Sequence, residues 1–312
     1  MRNLTWIGLL AAFALLGGCG TLPDAKPFAD ATGSLAASVG AGGNAVADTM
    51  VDASGVAPER RADYVKLSDD FKAAWRGRVE STRATVTYAD SIANLISAGS
   101  EGAETVNKVA DSLASLAAAV SIPVATPAFK AATELAAFVA ERVVIVRASA
   151  KLEAAMAQAQ PAIDRLANLL VEDTELRLKP LLRDLHQNIK SSIGTAYERE
   201  DNYRASIQDK RKDELAKVLK DPSNLAKVQE LDRADAVVAA VLQERDRKLE
   251  AAAAAYKARL QLIDAMSNAT MSWAQAHRDL AAAVRDKRKV SVAELEATIT
   301  ELKALVKKVR EL

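Results

Sequence analysis

Residues of the kind that helices bury recur every seven positions in the second half of the chain. The repeat comprises Leu242, Leu249, Tyr256, Ile263, Thr270, His277 and Val284, with Val238, Ala252, Met266, Trp273 and Leu280 beside it. A seven-residue repeat sustained over this length is typical of a long α-helix that packs along another helix. A strand cannot bury such a repeat on one face, because its side chains alternate with a period of two. The repeat therefore predicts helix-on-helix packing.

Composition extends this prediction to the whole chain. Hydrophobic residues make up 50% of it and aromatic residues only 4%, so the apolar surface consists largely of alanine and aliphatic side chains. Alanine, leucine and the long charged residues are strong helix formers. The sequence contains 13 glycines and 8 prolines, and it lacks alternating β-branched runs. We predict an all-α fold, an elongated antiparallel helical bundle with long coiled-coil-like helices.

Breaks in the helical pattern divide the chain into segments. The predicted segments are 1–18, 19–55 and 56–312, with further breaks near 99–102, 121–128, 221–223 and 288–291. The second segment is predicted to be a tether and a weak helix, because each glycine costs about 1 kcal/mol relative to alanine in a helix. A further helix is predicted from about Ala128 to Tyr197, with kinks at Pro161 and Pro180.

The first 18 residues have the layout of an export signal. Arg2 is followed by an uncharged apolar run that ends at Gly17-Gly18-Cys19. A run of roughly 13 residues is too short to cross about 30 Å of hydrocarbon as a helix, which requires about 20 residues. The run therefore predicts a cleaved secretory signal rather than a membrane-spanning helix.

The tetrapeptide Leu16-Gly17-Gly18-Cys19 resembles the lipobox of bacterial lipoproteins. The resemblance covers the signal and not the helical body. It implies cleavage between Gly18 and Cys19, a thioether-linked diacylglycerol on Cys19, and an acyl chain such as palmitate on its amino group. Cys19 is the only cysteine, and acylation consumes a thiol that would otherwise stay unpaired in an oxidising compartment. Gly20 stands where an inner-membrane retention signal places Asp, so the resemblance implies anchoring in the outer membrane.

Catalytic and metal sites have few candidate residues. The only histidines are His186 and His277, and carboxylates alternate with Lys and Arg at helical spacings, as on solvated ion-pairing faces. The sequence contains no Glu-x-x-His pair, Gly-x-Ser-x-Gly motif or phosphate-binding loop. Basic residues number 42 and acidic residues 41, which disfavours nucleic acid as a partner. We predict a non-enzymatic protein with no metal and no cofactor.

The histidines and the basic runs have structural interpretations. His277 occupies a heptad position and is predicted to be a bundle residue, whereas His186 lies on a face rich in Lys and Arg and is predicted to be solvated. The runs Lys210-Arg211-Lys212 and Lys287-Arg288-Lys289 lie near predicted helix ends, where cations interact favourably with the helix dipole. Contact with anionic lipid or the cell wall is the alternative for these runs.

The uncharged segment 112–129 allows two hypotheses. In the first, it is the tip of a helical hairpin and neighbouring helices bury it. In the second, it is exposed and enters a membrane or a partner groove. The second hypothesis assigns the contact to Leu116, Val120, Ile122, Val124 and Phe129. A long bundle with an apolar tip at 112–146 resembles the helical pore-forming toxins of bacteria in architecture, without a shared motif.

These inferences combine into one predicted function and one alternative. We predict a lipid-anchored scaffold, spacer or binding module at the outer membrane, facing the periplasm. Its partners are the membrane, through the anchor, and envelope proteins or peptidoglycan. A homo-oligomer stays open, because long helical seams pair within or between chains. The alternative is a membrane-active bundle that inserts the apolar tip.

Overall fold

The computed structural model describes residues 22–99, 103–120 and 130–311. These residues form nine α-helices and no strand, and the prediction of an all-α helical bundle is confirmed. The helices are α1 (Lys26–Val56), α2 (Arg61–Ser97), α3 (Ala103–Val120), α4 (Lys130–Arg147), α5 (Leu152–Asp173), α6 (Lys179–Ala196), α7 (Glu198–Val218), α8 (Leu225–Asp286) and α9 (Ala293–Arg310).

The helices build two compact units. Unit 1 comprises residues 22–40, 76–172 and 265–303 of the described chain, and unit 2 comprises 41–75, 173–264 and 304–311. Four helices, α1, α2, α8 and α9, contribute several residues to each unit, and α5 contributes its last residue, Asp173, to unit 2.

The core of unit 1 consists mainly of aliphatic side chains, together with the aromatic residues Phe28, Tyr88 and Trp273. Its least exposed members include Phe28, Leu35, Val39, Val109, Leu113, Leu116, Leu135, Val139, Ile163, Leu166 and Leu280. The indole Nε1 of Trp273 donates a hydrogen bond to Thr32 Oγ1 over 3.0 Å, so its polar edge has a partner inside the core. The part of the predicted seven-residue repeat of α8 that belongs to this unit, from Met266 to Val284, is buried.

Unit 2 contains a main core and a smaller satellite. Met50, Leu178, Leu182, Leu185 and Leu262 belong to the main core. The satellite lies between α7 and α8 and consists of Ile207, Val238 and Leu242, with Tyr197, Leu231 and Ala234 packed against it. Ion pairs between the two helices flank the satellite and join Arg204 to Asp235, Arg211 to Asp232 and Arg245 to Asp201.

The helix ends near several predicted breaks have identifiable caps. After α2, Gly99 has a φ of 60°, the left-handed conformation that glycine adopts readily at a helix C-terminus. Before α8, the Asp221 side chain accepts a hydrogen bond from the backbone N–H of Ser223 over 3.0 Å. Between α8 and α9, the chain leaves the helix at Asp286 and re-enters it at Ala293. The break predicted near 121–128 lies outside the described residues.

The prediction of a single helix from about Ala128 to Tyr197 is wrong. Helix α4 ends at Arg147, α5 begins at Leu152, and a π-helical turn separates α5 from α6. The turn after α4 contains no glycine or proline, so composition carries no signal for it. Pro161 lies inside α5. Pro180 is the second residue after the π-turn, where the altered hydrogen-bond pattern accommodates a residue that has no N–H.

Helix α1 continues through its glycines. One of them, Gly43, is needed for close packing against Trp75. A Cβ atom at Gly43 would overlap the indole of Trp75 in α2, whereas a Cβ at Gly40 would meet no atom within 4 Å. Gly43 therefore lets the buried Trp75 ring approach the α1 backbone closely.

We expect Gly43→Ala and Gly40→Ala to change stability in opposite directions. Both substitutions gain helix propensity of about 1 kcal/mol, but only Gly43→Ala forces Trp75 to move, at a cost of about 1–3 kcal/mol typical of overpacking. Denaturant unfolding followed by circular dichroism measures both changes. An equal gain for the two variants would show that Trp75 does not need the space beside Gly43.

Candidate functional site

The predicted lipidation and cleavage residues, Cys19 and Gly18, lie outside the described residues. The described chain begins at Leu22, three positions after Cys19. Leu22 lines a small cavity of about 110 Å³ in unit 1, together with residues of the α4–α5 turn and the end of α8, among them Lys151, Arg285 and Lys287. The chain that follows the predicted anchor is therefore packed beside basic side chains.

These side chains form what we call the basic cluster, defined as Lys151, Arg285, Lys287, Arg288 and Lys289. The side chains of Lys151, Arg285 and Arg288 are 75%, 66% and 54% exposed. Asp286 pairs with Arg285 over 2.8 Å and with Arg288 over 3.6 Å, and the Arg285 guanidinium lowers the pKa of Asp286 below its usual value. Among the described residues, no carboxylate pairs with Lys287 or Lys289. The cluster therefore carries net positive charge.

Lys287 has an unusual backbone conformation for a lysine. Its φ is 49°, and the backbone N–H of Arg288 donates to Ala283 O over 3.0 Å, as in the glycine-containing caps of helix C-termini. A side chain in this left-handed region costs on the order of 1 kcal/mol. The end of α8 thus presents a lysine where glycine would strain the backbone less.

The structure describes little of the predicted contact segment. Leu116 is fully buried in the core of unit 1, as the hairpin hypothesis expects for this residue. Ile122, Val124, Phe129 and the side chain of Val120 lie outside the described residues. Within the described ranges, no helix combines the length and apolarity that crossing a membrane requires. No group of three or more His, Cys, Asp or Glu side chains that could hold a metal ion occurs in the same part of the chain.

His277 lies in the core of unit 1, at the centre of a buried hydrogen-bond network. Its Nε2 is 2.8 Å from the Tyr88 hydroxyl, and its Nδ1 is 2.6 Å from Gln160 Oε1. The Gln160 amide donates onward to Ala274 O and to Asp164 Oδ1. A neutral imidazole that accepts from Tyr88 and donates to Gln160 satisfies every bond in this chain.

Burial controls the ionisation of this network. Desolvation lowers the pKa of His277 to about 4, with the Asp164 carboxylate raising it and the Arg278 guanidinium lowering it further. Desolvation also raises the pKa of the Tyr88 hydroxyl. His277 is therefore neutral in the folded protein at neutral pH, in keeping with a role in packing.

The sequence predicts a solvated His186, but its side chain is partly buried in a cleft of unit 2. Its ring stacks on Tyr256, with centroids 4.4 Å apart and ring planes 10° from parallel. Its Nδ1 is buried without a hydrogen-bond partner, and burial lowers the pKa of the ring, with a smaller contribution from Lys190. The cleft itself has a volume of about 610 Å³.

The partners of the two histidines are far from them in sequence or carry no recognisable motif. Tyr88 and Gln160 are 189 and 117 positions from His277, so no local spacing connects them. Tyr256 was recognised only as a member of the heptad stripe. In each case the missing information is which helices are neighbours.

Comparison of this chain with protein-family models, with curated proteins and with solved structures finds no match.

The buried state of His277 predicts a specific pH dependence of stability. Because its pKa is about 4 in the folded chain and about 6.5 in an unfolded one, the unfolded state binds more protons between these values. We expect the free energy of unfolding to fall as pH drops from about 6.5 toward 4. Between about pH 7 and pH 4.5, His277 contributes on the order of 2–3 kcal/mol of this loss.

The variant His277→Gln isolates this contribution from that of the carboxylates. Glutamine can still hydrogen-bond to Tyr88 but does not titrate. The free energy of unfolding of the variant should therefore decline less than that of the unsubstituted protein between about pH 7 and pH 4.5. Denaturant unfolding at each pH measures the difference. Parallel pH profiles for the two proteins would contradict the buried neutral state of His277.

Proposed function

We propose that this chain is a lipid-anchored lipoprotein of the bacterial outer membrane, where it acts as a non-enzymatic helical scaffold, spacer or binding module facing the periplasm. One observation carries the proposal: Leu16-Gly17-Gly18-Cys19 ends an uncharged apolar run at the start of the chain. Acylation of Cys19 would put several acyl chains on the first residue of the mature protein, and two or more chains anchor a protein stably.

A short connection between anchor and body supports this proposal. Cys19 precedes Leu22 by three positions, and three residues of extended chain span at most about 11 Å. Pro23 and Ala25 are already buried in unit 1. Acyl chains on Cys19 would therefore hold this end of unit 1 at the lipid surface.

The basic cluster would then face the phospholipid headgroups. Each Lys or Arg near an anionic membrane surface contributes about 1 kcal/mol of attraction. Lys287 and Lys289 are exposed, and their charges are available for such contacts. The anchor would supply stable attachment, while the cluster would orient unit 1. A protein held in this way has envelope proteins and peptidoglycan within reach as partners.

We expect Cys19→Ala to move the protein from the membrane fraction to the soluble fraction of cells. The substitution removes the only thiol that can be acylated. Thr21→Ala, which leaves the lipobox-like tetrapeptide intact, is the matched control and should stay in the membrane fraction. Undiminished membrane retention of the Cys19→Ala protein would show that the body itself holds the bilayer, as the membrane-active alternative requires.

We expect Lys287→Gln with Lys289→Gln to weaken binding to anionic vesicles by roughly tenfold or more. The measurement is co-sedimentation of the full chain carrying Cys19→Ala with phosphatidylglycerol vesicles, so that acyl anchoring does not mask the effect. Phosphatidylcholine vesicles should bind neither protein, and salt should weaken the binding.

Lys210→Gln with Lys212→Gln removes the same charge from the other basic run and is the control. Lys212 pairs with Asp209 over 3.3 Å, so less uncompensated charge is lost. Equal weakening by the two double variants would mean that only net charge matters and that the basic cluster makes no specific contact.

A further inference from the structure

The cleft of unit 2 has apolar walls and a volume suited to a small molecule. At about 610 Å³, it lies within the range of about 300–1,000 Å³ typical of ligand sites. Its walls come from the end of α1, from α6 and from α8, and their apolar members include Val56, Ile189, Ile193, Ala196, Ala252 and Ala255. The alanines of α8 leave open the space that larger side chains would fill.

Two buried polar groups of the cleft lack hydrogen-bond partners. Arg259 is only 7% exposed, and its Nη1 donates to Asp52 Oδ2 over 2.7 Å, but its Nε has no partner. The Nδ1 of His186 is also unpaired, although the ring is fixed by stacking on Tyr256. A buried donor without a partner costs about 1–3 kcal/mol. Both nitrogens are enclosed by protein atoms, so neither offers a charged headgroup an accessible donor in this part of the cleft.

The cleft also carries one uncompensated positive charge. Arg259 is balanced by Asp52, whereas Lys248 donates to the Tyr197 hydroxyl over 3.0 Å and lies 5.4 Å from the centre of that ring. No carboxylate in the described chain forms an ion pair with Lys248, although the Tyr197 hydrogen bond and, more weakly, the Glu244 carboxylate raise the pKa of Lys248. With His186 neutral, the lining residues sum to one positive charge.

We propose that the unit 2 cleft binds the carboxylate form of a single-chain fatty acid. The acyl chain lies against the apolar walls, and the carboxylate lies at the Lys248 end of the cleft, within reach of the Lys248 ammonium and the Tyr197 hydroxyl. A single negative charge matches the single uncompensated cation, whereas a phosphate would bring a charge of about −1.5 to −2 at neutral pH. This inference goes beyond the proposed function and does not rest on acylation of Cys19.

The test is isothermal titration calorimetry of dodecanoate into the full chain carrying Cys19→Ala, which has no acyl chains of its own and needs no detergent. We expect one molecule to bind per chain. Dodecanol should bind at least roughly tenfold more weakly, since it lacks the charge, and dodecyl phosphate should also bind more weakly.

Two pairs of variants locate the binding site. Ala252→Phe fills the cleft and should weaken dodecanoate binding by roughly tenfold or more, whereas Ala253→Phe, at an exposed neighbour outside the cleft, should not. Lys248→Gln should weaken dodecanoate binding but leave dodecanol binding unchanged, whereas Lys257→Gln, also exposed and outside the cleft, should leave both unchanged. Circular dichroism checks the fold of each variant, and the Lys248 pair decides the result if Ala252→Phe unfolds the chain.

Several results would overturn the proposal. If dodecanoate shows no saturable binding, the proposal is wrong. It is also wrong if neither Lys248→Gln nor a folded Ala252→Phe variant weakens the binding of dodecanoate. Tighter binding of dodecyl phosphate assigns the cleft to phosphorylated amphiphiles instead. None of these results bears on the membrane anchor, because every protein in this experiment lacks Cys19.

Discussion

Burial of one face of helix α8 constrains the cleft of unit 2, the core of unit 1 and the basic cluster, because α8 supplies residues to each of them. Between Lys248 and Arg259 the helix forms a wall of the unit 2 cleft. Between Trp273 and Leu280 it supplies the core of unit 1, and directly after Asp286 the chain enters the basic run of the cluster. Because successive turns of a helix hold side chains at a constant spacing of 3.6 residues, a shift in the register of α8 would displace all of these residues together.

The fold class follows from local patterns, whereas the sites depend on distant parts of the chain. A seven-residue repeat is visible in sequence, so the burial of Trp273, His277 and Val284 could be predicted. The hydrogen bond between Tyr88 and His277 could not, because it joins two helices whose adjacency no spacing encodes. Leu67 follows Tyr64 by three positions in α2, yet Tyr64 is buried and Leu67 is 41% exposed, because periodicity alone does not say where the partner helix lies.

The proposed anchor and the proposed cleft ligand share one chemistry, that of acyl chains. A protein held to a lipid surface encounters amphiphiles at a high local concentration, because they partition to the same surface. Selectivity must then come from the cleft, where the Lys248 ammonium would distinguish a charged head from a neutral one. The buried network around His277 differs from the cleft, because its hydrogen bonds are satisfied within unit 1 and it stabilises packing rather than binding a ligand.

The central claim is that the mature chain begins at an acylated Cys19. Intact-mass spectrometry of the protein purified from the membranes of its own cells tests this most directly. The account predicts a mass lower by residues 1–18 and higher by a diacylglycerol and an acyl chain, with fragmentation placing all added mass on Cys19. A mass equal to the full sequence, with Met1 present and Cys19 unmodified, would contradict it.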